Sequence, residues 1–167
     1  HLGVRRQRQM CIRDRMQAAI GLKQLDKLQD MDDARRRNFK SLKKVFSKYE
    51  EYFMLPEKTD KSDPNWFGFL LTVKDNSGFT REDFVKHLES NKIQTRSYFA
   101  GNCLYHPAYV DYAKRYDNIK ERFPNAYKAT VGSFFLGTFI GVTDEKINYI
   151  EGLSLIHISE PTRPIHI

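Results

Sequence analysis

Cysteine is nearly absent from this chain, with two residues, Cys11 and Cys103, among 167. Two thiols cannot build a disulfide framework, nor can they supply a four-ligand metal site. Long apolar runs are missing as well: no stretch approaches the roughly 20 residues that cross a bilayer. The N-terminal HLGVRRQRQMCIRDR carries basic residues but no apolar core of a secretory signal. Glycine is sparse where phosphate loops need it, and FLGTFIG at 135–141 has neither dinucleotide nor P-loop spacing. The exposed-aromatic pattern of an RNA-binding sheet is lacking too. These absences point to a reducing, cytoplasmic setting, with neither membrane nor nucleic acid as partner. What is present is ordinary for a globular domain, 40% hydrophobic and 29% charged residues in a chain long enough to bury a core.

The net charge of +7 suggests a nucleic-acid partner until the two ends are compared. Met10 to Arg15 (MCIRDR) can be written in codons whose reverse complement encodes LSLIHI, the hexapeptide at Leu153 to Ile158. Both peptides are thus readable from the two strands of one short oligonucleotide, as in a translated sequencing adapter. Residues 1–15 and 153–167 are therefore expected to be non-native. These flanks hold six of the 28 Lys and Arg and two of the 21 Asp and Glu. Residues 16–152 keep 22 and 19, a charge of +3, and Cys103 as their one thiol.

From Met16 to Phe53 the apolar spacing is helical. Ala18, Leu22, Leu25, Leu28 and Met31 form one stripe, continued by Phe39, Leu42, Val45, Phe46, Tyr49 and Phe53. A break is expected near Asp30–Asp33, and Pro56 ends the segment. After a polar connector at 57–65, Trp66–Val73 reads as a buried strand. Thr80 and Asp83 then form a capping box, with Phe79 and Phe84 at the staple positions. That helix runs to about Ser90, with Asn91 suited to a left-handed exit. Ile93–Phe99 is a second strand, giving a split strand–helix–strand unit. Pro107 and Pro124 open short helices, Phe134–Phe139 is a third strand, and Thr143 caps a final helix through Ile150. The fold class expected is a two-layer α/β sandwich: residues 16–56 as long N-terminal helices, and 57–152 as a small α/β domain with a three-stranded sheet.

The least ordinary stretch is TRSYFAGN at 95–102, where an arginine interrupts an apolar strand. Alternation places Ile93, Thr95, Ser97 and Phe99 on one face, and Gln94, Arg96 and Tyr98 on the other. Arg96 is either solvated on an open sheet face or an anion-facing guanidinium at a cleft mouth, and the residues alone leave these level. Gly101 allows a tight turn, and the Asn102 amide offers both a donor and an acceptor. Cys103 is expected to be packed, His106 to be a loop residue, and His87 to lie at the surface. No metal site or nucleophile pair is complete. Arg35–Arg37 with Lys40, Lys43, Lys44 and Lys48 make a basic helical face, which leaves open, as a different class of function, a standalone module that binds an acidic partner or nucleic acid.

Met16-Gln17-Ala18-Ala19-Ile20-Gly21-Leu22, followed by Gln24, Leu25 and Leu28, resembles the QAAIG helix of the DegT/StrS sugar aminotransferase superfamily. ARRRNF at 34–39 is similar to the next helix of that family. WFGF at 66–69, Thr95-Arg96 with Phe99-Ala100-Gly101-Asn102, FPNA at 123–126 and FFLG at 134–137 are more particular. They resemble the branch that contains CDP-4-keto-6-deoxyglucose 3-dehydrase of lipopolysaccharide biosynthesis and its GDP-sugar relative. Tyr105-His106-Pro107 departs from the Arg-Gln-Pro common there.

The resemblance, which covers essentially all of 16–152, implies the small C-terminal domain of the pyridoxal-phosphate aspartate-aminotransferase fold. It implies that the cofactor-binding large domain lies N-terminal to Met16. With that domain would go the cofactor-facing residue, lysine in aminotransferases and histidine in the dehydrase branch. It therefore implies no catalytic and no metal-binding residue in this chain. The intact enzyme would use pyridoxal or pyridoxamine phosphate, with an iron–sulfur cluster held by missing cysteines in the CDP-sugar enzyme. Its substrate would be a nucleotide-activated 4-keto-6-deoxy sugar, and a homodimer and a reductase partner are also implied. The fragment alone would bind no cofactor. On the resemblance, Arg96 is expected as an electrostatic anchor in the substrate pocket, Asn102 as its hydrogen-bonding neighbour and Phe99 as wall packing. A nucleotide-sugar aminotransferase is the alternative within the superfamily.

Overall fold

The computed structural model describes residues 2–159, with side chains from 14 to 154. Most of the two flanks expected to be non-native therefore lies outside the residues whose side chains are described. Helix α1 (Leu2–Leu25) is followed after Asp26–Lys27 by α2 (Leu28–Phe46). The break falls earlier than Asp30–Asp33 because those aspartates serve α2 itself. Asp30 sits in its first turn, where a carboxylate is favoured, and Asp32 accepts from Arg36 at 2.8 Å one turn on. The apolar residues of α1 and the first residue of α2 find no cover among the described residues: Met16, Ile20, Leu22 and Leu25, and then Leu28, are 53–66% exposed.

From Ala34 onward the stripe is buried. Ala34, Asn38, Phe39, Leu42, Val45 and Phe46 all turn inward, with Leu42 and Phe46 fully buried. Helical geometry ends at Phe46, short of Phe53. A 3-10 turn at Ser47–Tyr49 leads to a two-residue strand β1 (Phe53–Met54), which pairs antiparallel with Val73 and Thr72. The spacing 46, 49, 53 suits a helix, but burying Phe53 against Phe46 and Phe84 while pairing its backbone with β2 wins. The sheet therefore has four strands, one more than expected.

Strands β2 (Gly68–Val73), β3 (Thr95–Ser97) and β4 (Ser133–Gly137) follow helix-separated in the chain. The spatial order is β1-β2-β4-β3, antiparallel throughout. Because β4 lies between them, β2 and β3 run parallel to each other. Helix α3 (Arg81–Ser90) is the crossover of this split unit. Its start is as expected: Thr80 Oγ1 accepts from Asp83 N at 3.1 Å, Asp83 accepts from Thr80 N, and the Phe79 and Phe84 rings stack at 5.6 Å. Its exit differs. Lys92, not Asn91, takes the left-handed conformation (φ 63°), while the Asn91 amide donates to His87 O.

The short helices α4 (Val110–Ala113), α5 (Ile119–Arg122) and α6 (Pro124–Gly132) precede β4. Helix α7 (Asp144–Ser159) is the last described element and continues past Ile150, with no proline to stop it through Ser159. Helices α2, α3 and α7 cover one face of the sheet. There Phe69, Leu71, Phe134 and Leu136 form the core with Leu42, Phe46, Phe84, Leu88 and Ile147. Each such side chain contributes about 1.5–3 kcal/mol of burial. The result is a two-layer α/β sandwich.

Candidate functional site

The register Leu70–Phe135–Arg96 runs across three strands on the face opposite the core. Period-two alternation buries Thr95 and leaves Arg96 exposed. Arg96 has no ion-pair partner among the described residues. Beside it Gln94, Phe67, Phe135 and Phe139 line a groove of about 770 Å³. The groove continues around the edge of β3 to Ile93, Val142 and Tyr149. Its rim carries Arg35, Lys92, Arg96 and Lys146, and no carboxylate among the described residues lines it. An apolar floor with an uncompensated cationic rim is complementary to an anion bearing a flat or apolar part.

By a route that alternation does not predict, Phe99 lines a hollow adjoining this groove, with which it shares Phe67, Gln94, Arg96 and Phe135. The chain leaves β3 at Ser97 and turns, with Phe99 at φ 41° and Gly101 at φ 58°. That turn carries Phe99 off the Thr95 face. Its ring is 75% exposed and stands 6.0 Å from Phe135, beside Arg96. Gly101 is required here twice over, by its positive φ and because a Cβ would lie 2.6 Å from Thr130 Oγ1.

Asn102 goes elsewhere. It is buried, its Oδ1 accepts from Leu104 N at 3.0 Å, and its backbone N–H donates to Thr130 Oγ1 at 2.7 Å. It caps a 3-10 turn and makes no hydrogen bond to Arg96, and its Nδ2 is buried without a partner. The structure thus brings Arg96 and Phe99 together and sets Asn102 behind them as the anchor of their loop. Cys103, expected to be packed, is exposed on that 3-10 turn. His106 Nε2 lies against Ala100 O, and His87 Nε2, half-buried, faces Leu153 O at 3.2 Å.

Sequence reasoning missed Arg35. Of the three consecutive arginines, Arg36 is neutralised by Asp32 and Asp63, hydrogen bonds to which hold its guanidinium above the ordinary value. Arg35 instead faces the Phe67 ring at 5.9 Å and turns to the groove. One signal was in the sequence: Gly68 and Gly137, which pair directly across β2 and β4, each adjoin a phenylalanine or lie two from one. A Cβ on Gly68 would meet the Phe135 ring at 2.7 Å, so the missing side chain is the seat of that ring.

Among the described residues no three His, Cys, Asp or Glu side chains gather as metal ligands. No helix there is long and apolar enough to cross a membrane. Pyridoxal phosphate does not fit the groove by itself, since no lining carboxylate could meet its pyridinium nitrogen.

A helix-covered antiparallel sheet of this topology is part of the pyridoxal-phosphate-dependent aminotransferase fold. The chain belongs to the DegT/DnrJ/EryC1/StrS aminotransferase family, whose model matches residues 12–153. Over 135 residues it is 38% identical to lipopolysaccharide biosynthesis protein RfbH of Salmonella typhimurium, covering 81% of this chain and 30% of that protein. It is 39% identical to dTDP-4-dehydro-2,6-dideoxy-D-glucose 3-dehydratase of Saccharopolyspora spinosa, covering 81% and 28%. The structure of E. coli GDP-4-keto-6-deoxy-D-mannose-3-dehydratase with bound hydrated PLP matches with a TM-score of 0.66 at 28% identity, covering 81% of this chain and 33% of that one. The chain spans about 30% of the length of the curated relatives it matches.

Proposed function

We propose that this chain is the small-domain portion of a nucleotide-sugar 3-dehydratase dependent on pyridoxal or pyridoxamine phosphate, acting in deoxysugar and lipopolysaccharide biosynthesis. The observation that carries this is the 38–39% identity, over 135 residues, to RfbH and to a dTDP-sugar 3-dehydratase. When bound, the cofactor supplies the electron sink of the reaction. Its holding groups and the cofactor-facing histidine belong to chain N-terminal to Met16. The whole enzyme is a cytoplasmic homodimer with a reductase partner. Residues 1–15 and 153–167 are taken as non-native on their oligonucleotide-like pairing, and the family match from 12 to 153 overlaps them at 12–15 and 153.

In this enzyme the cationic groove forms one wall of the substrate cleft. Arg96 meets the anionic diphosphate with its planar fork of donors, and Arg35 adds a second positive charge from across the floor. Phe99 and Phe67 exclude water from the wall, which strengthens both charges. Asn102 contributes by holding the loop that carries Phe99.

The coding sequence upstream of Met16 is the first test: a histidine at the cofactor-facing position fits a dehydratase, whereas a lysine there makes the enzyme an aminotransferase. In the intact enzyme, Arg96→Ala raises KM for the nucleotide sugar by about tenfold or more, the loss of one hydrogen-bonded charge. An unchanged KM removes Arg96 from the substrate site.

A further inference from the structure

Asn38 is fully buried on α2, between Ala34 and Leu42 of the core stripe, where an apolar residue would be expected. Its Nδ2 donates to Phe139 O at 2.8 Å and to Thr138 O at 3.3 Å, while its Oδ1 is buried without a partner. An amide kept in a core with one end unsatisfied is kept for what its other end does. The two carbonyls it takes lie just past Gly137, where the β4 ladder to β2 ends.

Thr138 extends the grip. Its buried hydroxyl lies 2.9 Å from Trp66 O and 3.2 Å from Phe67 O, at the approach to β2. Asn38 and Thr138 together therefore tie α2, the start of β2 and the end of β4. The residues whose backbones they hold, Phe67 and Phe139, carry the two exposed aromatic lips of the groove, 62% and 57% exposed. Helix α2 touches the same junction on either side of Asn38. Arg35 faces the Phe67 ring, and Phe39 stacks flat on Trp66 at 4.4 Å. The Phe139 ring lies across its own turn, closed by Val142 N–H donating to Phe139 O, and occupies the space a Cβ on Gly141 would need.

We propose that Asn38 is a positioning residue of the groove: by holding the Thr138 and Phe139 carbonyls it sets the Phe139 lip against the Phe67 lip and ties the width of the groove to the seat of α2. A displacement of α2 then changes the groove, and a ligand pressing the lips apart is felt at Trp66. This coupling depends only on the backbone grip of Asn38 and Thr138 and is the same whichever reaction the groove serves.

Trp66 is the one tryptophan of the chain, so its indole N–H gives a single resonance to follow. The test is an amide and indole NMR spectrum of the full chain, beside urea melts, for Asn38→Ala, Thr138→Val and Thr138→Ser. In the wild type the Gly141 resonances are displaced by the Phe139 ring current. In folded Asn38→Ala and Thr138→Val that displacement is lost and the Trp66 indole resonance moves, while Thr138→Ser, which keeps the hydroxyl, retains the wild-type positions. A merely structural amide gives a different result: the urea midpoint falls, but Gly141 and Trp66 stay where they are in the wild type, and that overturns the proposal. Should Asn38→Ala fail to fold, the Thr138 pair reads the same clamp from its other side.

Discussion

The two faces of the sheet share the same strands and differ in everything else. On one, Phe69, Leu71, Phe134 and Leu136 are at most 1% exposed beneath α2, α3 and α7. On the other, Phe67 and Phe99 stand in solvent, Phe135 is half-buried and Arg96 has no counter-charge among the described residues. Residues adjacent in sequence, such as Phe134 and Phe135, have different environments because a strand sends successive side chains to opposite faces. The covered face explains why the segment folds. The open face, aromatic and cationic together, is a surface prepared for something else.

The contrast is sharpest at those two phenylalanines. Phe134→Ala removes a fully buried ring and costs about 3–5 kcal/mol, whereas Phe135→Ala costs about 1 kcal/mol, both read as shifts in urea midpoint. Equal losses would mean that the open face is as much core as the covered one. Next in size is Gly101→Ala, which forces a Cβ into a positive-φ site against Thr130 and costs about 1–3 kcal/mol. Because Gly101 shapes the loop that bears Phe99, its effect also shows as a changed environment for that ring. On the covered side, Thr80→Ala removes the α3 cap and costs about 1 kcal/mol, measured the same way.

The smallest effect belongs to the exposed pair Arg36–Asp63. The Arg36 hydrogen bond holds the Asp63 carboxyl below the usual carboxylate range. The pair's contribution is therefore present above the ordinary carboxylate value and is lost as pH falls through the lowered one. Asp63→Asn leaves the urea midpoint near neutrality almost unmoved and flattens only its acid limb.

Local chemistry was legible where it is self-contained. The Thr80–Asp83 box, the Phe79–Phe84 staple and the split strand–helix–strand unit follow from spacing alone, because their partners lie within one turn or one crossover. Strand β1 was not legible, since Phe53 fits a helical stripe and only pairing with Val73, twenty residues on, shows otherwise. Nor was the exit of α3, where Asn91 spends its side chain on His87 O and passes the left-handed turn to Lys92. At the site, Arg96 stood out as an arginine within a strand. Its companions Arg35 and Phe67 come from distant segments, and the flip of Phe99 depends on a turn that alternation cannot foresee.

By itself, the sequence carried the family resemblance in its motifs, and it determined most helix and strand segments and the apolar face of each, because these segments rest on local propensity and periodicity. Only the tertiary structure decided that β4 would lie between β2 and β3, that Asn102 would anchor its own loop and not Arg96, and that a buried amide on α2 would hold the lips of the groove. Each of these depends on which distant backbone groups are left to be satisfied once the core has closed.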